Sequence, residues 1–213
     1  TTGEVSISPA SRTFTSANWN VAQSFTVTAT DDAIVEGAES ATITHTSASG
    51  DPNYQAATVA SVSAAIADND NATVQFAPIS VSQSEGSSPM AFTVTLSAPV
   101  QSGVTLTLNS ATGTASAADF SGISNGSVTF AANSTTAQTV NVTINNDALD
   151  ENDETFSLTL SGLTATGAVT LGAAAATGTI LDDDPTPTLS VTSPSLAEGN
   201  SGTSTMNFVV SLN

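Results

Sequence analysis

Apolar residues alternate with Ser, Thr and Asn in short stretches along the whole chain: SFTVTA at 24–29, AFTVTL at 91–96, VTLTL at 104–108, TVNVTI at 139–144 and TFSLTL at 155–160. A period of two puts the apolar side chains on one face of an extended segment and the hydroxyls and amides on the other, as in a half-buried antiparallel strand. No window carries a helical period, and LGAAAATG at 171–178 is too short for an independent helix. Many short strands separated by Gly, Asn and Pro predict an all-β chain of sandwiches.

The alternation repeats at a longer scale. NVAQSFTVTATDDAIVEGAESATI at 20–43 aligns with TTAQTVNVTINNDALDENDETFSL at 135–158, and IADND at 66–70 aligns with ILDDD at 180–184. TLSVTSPSLAEG at 188–199 repeats VQFAPISVSQSEG at 74–86, and MNFVVSL at 206–212 repeats MAFTVTL at 90–96. Internal similarity at this spacing indicates a tandem array. The chain reads as the back of one repeat (1–70), one whole repeat (71–184) and the front of a third (185–213).

Charge sharpens this picture. Nineteen Asp and Glu face a single Arg12 and no Lys, so ion pairs cannot neutralise the acids, which must be solvated or met by cations. Nucleic acid is excluded as a partner. The ten acids of 71–184 fall in four places: Glu85, Asp119, the loop Asp147–Glu154, and Asp182, Asp183 and Asp184. Ordinary solvated charge would spread over the outward strand positions, which here carry Thr, Ser and Asn. Loops of a sandwich gather at its ends. Two carboxylates about 5 Å apart repel by roughly 0.8 kcal/mol in water and about 3 kcal/mol at an effective dielectric near 20. Oxygen ligands without His or Cys suit Ca²⁺, which also accepts irregular loop geometry better than Mg²⁺. The loop DALDENDETFSL lacks the Gly and acid spacing of an EF-hand, so the site has to be made by folding.

These residues resemble the Calx-β domain family. SEG at 84–86, GTASAADF at 113–120, GSVTF at 126–130, INNDALDENDETFSL at 144–158 and GTILDDD at 178–184 carry the resemblance, which spans 71–184. It implies immunoglobulin-like Greek-key β-sandwich repeats, about seven strands in each complete one, with calcium at the end that holds the last acidic triplet. Glu85, Asp119, Asp147, Glu151, Asp182, Asp183 and Asp184 are the ligands it implies, with Asp150, Asp153 and Glu154 as further candidates. Asn146 stands where the family pattern has an acid. In the first repeat the matching positions are Asp31, Asp32, Glu36, Asp68 and Asp70, a smaller set expected to bind more weakly. DNDNA at 68–72 also resembles the calcium-binding linker of cadherins, whose other acidic motifs are missing.

The expected function is structural. Calcium held where one repeat meets the next would stiffen the array, and the prolines of DPTPT at 184–188 add local rigidity. An extender or stalk of an extracellular bacterial surface or adhesion protein is the first reading. The Ser-, Thr-, Asn-, Ala- and Gly-rich composition suits secretion, no apolar run is long enough to insert in a membrane, and the N-terminus lacks a signal-peptide layout, as in an interior piece of a longer chain. The alternative is a head-to-tail fibre in which the incomplete repeats of identical chains complete each other by strand addition. Catalysis is not expected. The single His45 aligns with Leu160, an inward strand position, and Trp19 is expected to cap the sandwich of its repeat.

Overall fold

The computed structural model describes residues 4–55 and 57–213. The middle repeat is a two-layer sandwich. One sheet has the order β10-β7-β5-β12, from β5 (Asn71–Phe76), β7 (Met90–Leu96), β10 (Gln138–Val142) and β12 (Ala168–Leu171). The facing sheet has the order β6-β13-β11-β8-β9, from β6 (Ser80–Ser84), β8 (Val104–Thr112), β9 (Gly126–Phe130), β11 (Glu154–Thr164) and β13 (Ala175–Leu181).

The alternation read from sequence is what closes the two layers. Met90, Phe92, Val94 and Leu96 of β7 are buried, as are Val104, Leu106 and Leu108 of β8 and Phe156, Leu158 and Leu160 of β11. Between the sheets the aromatic rings form a chain: Phe76 meets Phe92 edge-on at 6.4 Å, Phe92 meets Phe156 edge-on at 5.9 Å, and Phe156 stacks on Phe120 at 4.5 Å. Glycine makes room for it. Gly178 of β13 pairs with Phe156, and a Cβ there would lie 2.3 Å from the ring.

The strand count exceeds the expected seven. Two short edge strands are added, β6 parallel to β13 and β12 parallel to β5, so the sheets are mixed rather than purely antiparallel. Each extra strand takes up hydrogen-bonding groups on the edge of a neighbour.

The flanking units keep the register of the middle repeat. In the first, β3 (Glu39–Ile43) and β4 (Val62–Ile66) pair Glu39 with Ile66, as Glu154 pairs with Ile180. In the third, β14 (Leu189–Val191) and β15 (Val210–Leu212) pair Leu189 with Leu212, as Val74 pairs with Leu96. One pairing departs. EVSIS at 4–8 resembles SVTFA at 127–131, and β1 (Val5–Ser8) pairs directly with β2 (Thr26–Ala29), whereas β9 and β10 of the middle repeat lie in opposite sheets. Among the described residues, no counterpart of β7 or β8 stands between them.

Two smaller expectations are corrected. Trp19 is not a cap: it sits in a turn with 71 % of its surface exposed. His45 lies just beyond β3, half-buried, with Nδ1 3.1 Å from the carbonyl of Ala60.

Candidate metal centre

Strand ends bring the four acidic segments of the middle repeat to one end of the sandwich. Ser84 closes β6 and Leu181 closes β13, and the Glu85 amide donates to the Leu181 carbonyl at 3.0 Å, which sets Glu85 beside Asp182–Asp184. On the other side, Phe120 bridges to Ile144 while the Asn145 amide donates to the Asp119 carbonyl at 2.9 Å. The stacking of Phe120 on Phe156 thus ties Asp119 to the start of β11, where Glu154 lies.

Two groups of ligand atoms result, each with its oxygens within 4.8 Å of one another: Glu85, Asp182 and Asp184, and Asp119, Glu151 and Glu154. Asp147 joins them electrostatically, since its charge acts on both Glu85 and Glu151. The remaining predicted residues stand around these groups. Asp183 accepts the Ser84 hydroxyl, Asp153 accepts the Asp182 amide at 3.3 Å, and Asp150 is exposed and accepts from the Thr186 hydroxyl at 3.4 Å. Gly86 permits the packing: a Cβ there would lie 2.7 Å from Asp183 Oδ2 and 3.2 Å from the side-chain oxygen of Asn146. Asn146 therefore still turns an oxygen towards the cluster.

Electrostatics mark the end as short of positive charge. Glu85 is only 7 % exposed, and Glu85 Oε1 and Asp184 Oδ2 are both buried without a hydrogen-bond partner. Burial, helped by proton sharing with Asp184 and by the charges of Asp184, Asp147 and Asp183, pushes the Glu85 carboxyl up to about 7. Glu151, though exposed, is raised by partial loss of its surrounding water and then by the charges of Asp147, Asp119 and Asp182. Glu154 is raised by burial and by its hydrogen bond with Asp119, while the Ser116 amide, donating at 2.6 Å, holds Asp119 below its ordinary value. An unpaired charge in such a place costs several kcal/mol unless a proton or a cation meets it. The donor set is all oxygen and mostly carboxylate, the chemistry Ca²⁺ accepts at six to eight positions.

The first repeat gathers a smaller set. Asp68 accepts the amides of Glu36 at 2.9 Å, Gly37 at 3.0 Å and Asp70 at 2.9 Å, led by Gly37 in holding its carboxyl low, and Asp32 accepts the Ile34 amide at 2.8 Å. Asp70 is raised by burial and then by Asp68, Asp31 and Asp32, which places these four carboxylates in one field. Sequence reasoning missed two members, Glu4 and Glu39. Glu4 joins Glu36 and Glu39 within 4.8 Å, occupying the part that Asp119 plays beside Glu151 and Glu154. The signal was an acid directly before an apolar–hydroxyl strand, but Glu4 has no counterpart in the alignment of 20–43 with 135–158.

A family model described as the Calx-beta domain matches residues 67–184, more than half of the 213 residues. The chain belongs to the Calx-beta domain family. The match runs from Ala67 to Asp184 and so takes in all four acidic segments of the middle repeat. Among solved structures, the apo-form Calx CBD1 domain is similar at 26% identity and a TM-score of 0.49, over 53% of this chain and 98% of that one. The calcium binding domain CBD12 of CALX1.1 is similar at 25% identity and a TM-score of 0.49, over 56% of this chain and half (50%) of that one. No curated protein matches. In Calx-beta terms, the candidate centre lies at the end of the domain where the chain leaves for the next repeat, through Asp184 and Pro185.

Proposed function

We propose that this chain is a calcium-binding, non-catalytic segment of a tandem Calx-beta array, serving as an extender or stalk in an extracellular bacterial surface or adhesion protein. The observation that carries the calcium reading is the pair of buried, unpartnered oxygens, Glu85 Oε1 and Asp184 Oδ2, in a cluster with no cationic side chain to answer them. A cation there would join the end of β6 to the segment that leads into the next repeat, and so restrain the joint. Titration of the chain with Ca²⁺ by calorimetry, with thermal melts in Ca²⁺ and in chelator, tests it. Saturable heat and a melt that rises with free Ca²⁺ support the reading; coincident melts without heat sink it. The stalk role adds a scattering profile that lengthens in Ca²⁺.

A head-to-tail fibre is the second reading, favoured by the exposure of Phe25 and Val62 in the first unit and of Leu189, Val191, Val209, Val210 and Leu212 in the third. Its weakness is topological. Among the described residues, neither 4–66 nor 185–213 contains a counterpart of β8, the strand that joins β11 to β9, so units joined from these strands would still lack a central one. A strictly monomeric mass at all concentrations removes it.

A further inference from the structure

The acid loop between β2 and β3 docks outside its own repeat. Val35 is fully buried, and among the described residues it is the one member of the main apolar core that lies outside residues 72–180. Its amide donates to the Pro99 carbonyl at 2.9 Å, and its carbonyl accepts the Gln101 amide at 2.9 Å, which makes a parallel bridge to Val100. Both backbone groups of a first-repeat residue are thus satisfied by the middle repeat, and its side chain completes that repeat's core.

The receiving surface is held together by bonds of its own. Val100 accepts the amides of Gly103 at 3.0 Å and Asn133 at 2.9 Å, and the Ser102 hydroxyl oxygen accepts both the amide and the hydroxyl of Thr166, at 3.1 and 2.9 Å. These bonds fix the loop 99–103 against the loop that ends at Gly167. Close approach then needs two glycines. A Cβ on Gly167 (φ +76) would lie 2.5 Å from Val35 Cγ1, and one on Gly37 (φ +93) would lie 3.3 Å from the Gly167 amide nitrogen. At the rim, the Gln101 side-chain amide donates to Glu36 at 3.2 Å and Glu39 at 3.1 Å.

The middle repeat's own loop has a different key. Asp150 stands at the position of Val35 and Asn152 at that of Gly37. A carboxylate buried without a partner in an apolar socket costs several kcal/mol, and a side chain at the glycine position obstructs the backbone contact. We propose that Pro99–Gly103 and Gly167 form a socket for one kind of occupant, an apolar residue at the Val35 position of the preceding repeat's acid loop. That residue decides, joint by joint, whether neighbouring repeats lock. The joint keyed by Val35 holds without a cation; the joint following Asp150 is a hinge, stiffened only by its proline linker and by a cation bound nearby. This rests on the array reading above but not on calcium binding.

The test uses spin labels on the full chain, which has no native cysteine, at Thr42→Cys and Thr129→Cys, two exposed strand positions on either side of the joint. The expected distance distribution is narrow in Ca²⁺ and in chelator alike. Val35→Asp broadens it about two-fold or more in chelator, the default for modules without a specific interface. Gly167→Asn does the same from the socket side; Asn tolerates the left-handed backbone, so the middle repeat keeps its fold while the socket is obstructed. Either variant remaining as narrow as the parent, or a parent that is broad in chelator, overturns the proposal. A distribution that narrows on adding Ca²⁺ whatever stands at 35 removes the socket yet leaves the calcium-stiffened array intact.

Discussion

Glu85 and Asp184 face each other at the end of the middle sandwich, each with one buried oxygen that no hydrogen-bond donor reaches. A folded domain accepts such a pair only where a proton or a cation completes it. Glu85→Gln keeps the shape and removes the charge. Calcium affinity is expected to fall about ten-fold or more, the loss of one carboxylate ligand from a charged set, while the melt in chelator stays equal or rises. Calorimetry and calorimetric melts of the variant check both arms; an unchanged affinity removes Glu85 from the site.

The pH dependence follows from the same carboxyl. Glu85 ionises near 7 when folded and at its ordinary 4.5 when unfolded, so the folded state holds the extra proton between these values. Stability in chelator is therefore greatest below 4.5 for this group, declines as pH rises towards about 7, and levels off beyond. Glu151 and Glu154 are shifted in the same direction and add to the decline, while the lowered Asp119 acts oppositely, losing its contribution as pH falls through its folded value. A cation has to displace the Glu85 proton, so affinity should climb over the window in which apo stability falls. Melts and titrations across that window read the two slopes, and parallel slopes contradict the assignment.

Two glycines are expected to separate folding from binding. Gly178→Ala forces a methyl group against the Phe156 ring and should destabilise by about 1–3 kcal/mol, as overpacking does, with a lowered melt in Ca²⁺ and chelator alike. Gly86→Ala meets only the carboxylate end of Asp183 and the side chain of Asn146, which can turn aside. It should weaken calcium binding with little change in the chelator melt.

Trp19→Ala should cost within about 0.5 kcal/mol, the usual range for an exposed side chain with no special contact. Urea unfolding of the full chain checks it, and a larger loss would restore the capping role read from sequence.

The sequence by itself determined the layers. A period of two at 90–96, 104–108 and 155–160 states which side chains face inward, because a strand has only two faces and water accepts only one of them. Internal similarity aligned the flanking units with the middle repeat as well: the structure pairs Glu39 with Ile66 as it pairs Glu154 with Ile180, although the intervening segments differ by one residue. Acid clustering was equally legible, since charge without counter-charge is a property of composition. Which acids share a cation was not, and the tertiary structure decided it. Glu85 and Asp184 meet because β6 runs beside β13 in parallel, a pairing of residues about a hundred positions apart that no local pattern encodes. Glu4 joins Glu36 and Glu39 through a strand pairing, β1 with β2, that the middle repeat does not have. Val35 looked like one more position in an acid loop; its burial depends on a socket supplied by Val100 and Gly167, and burial belongs to the surroundings of a residue, which only the folded chain provides.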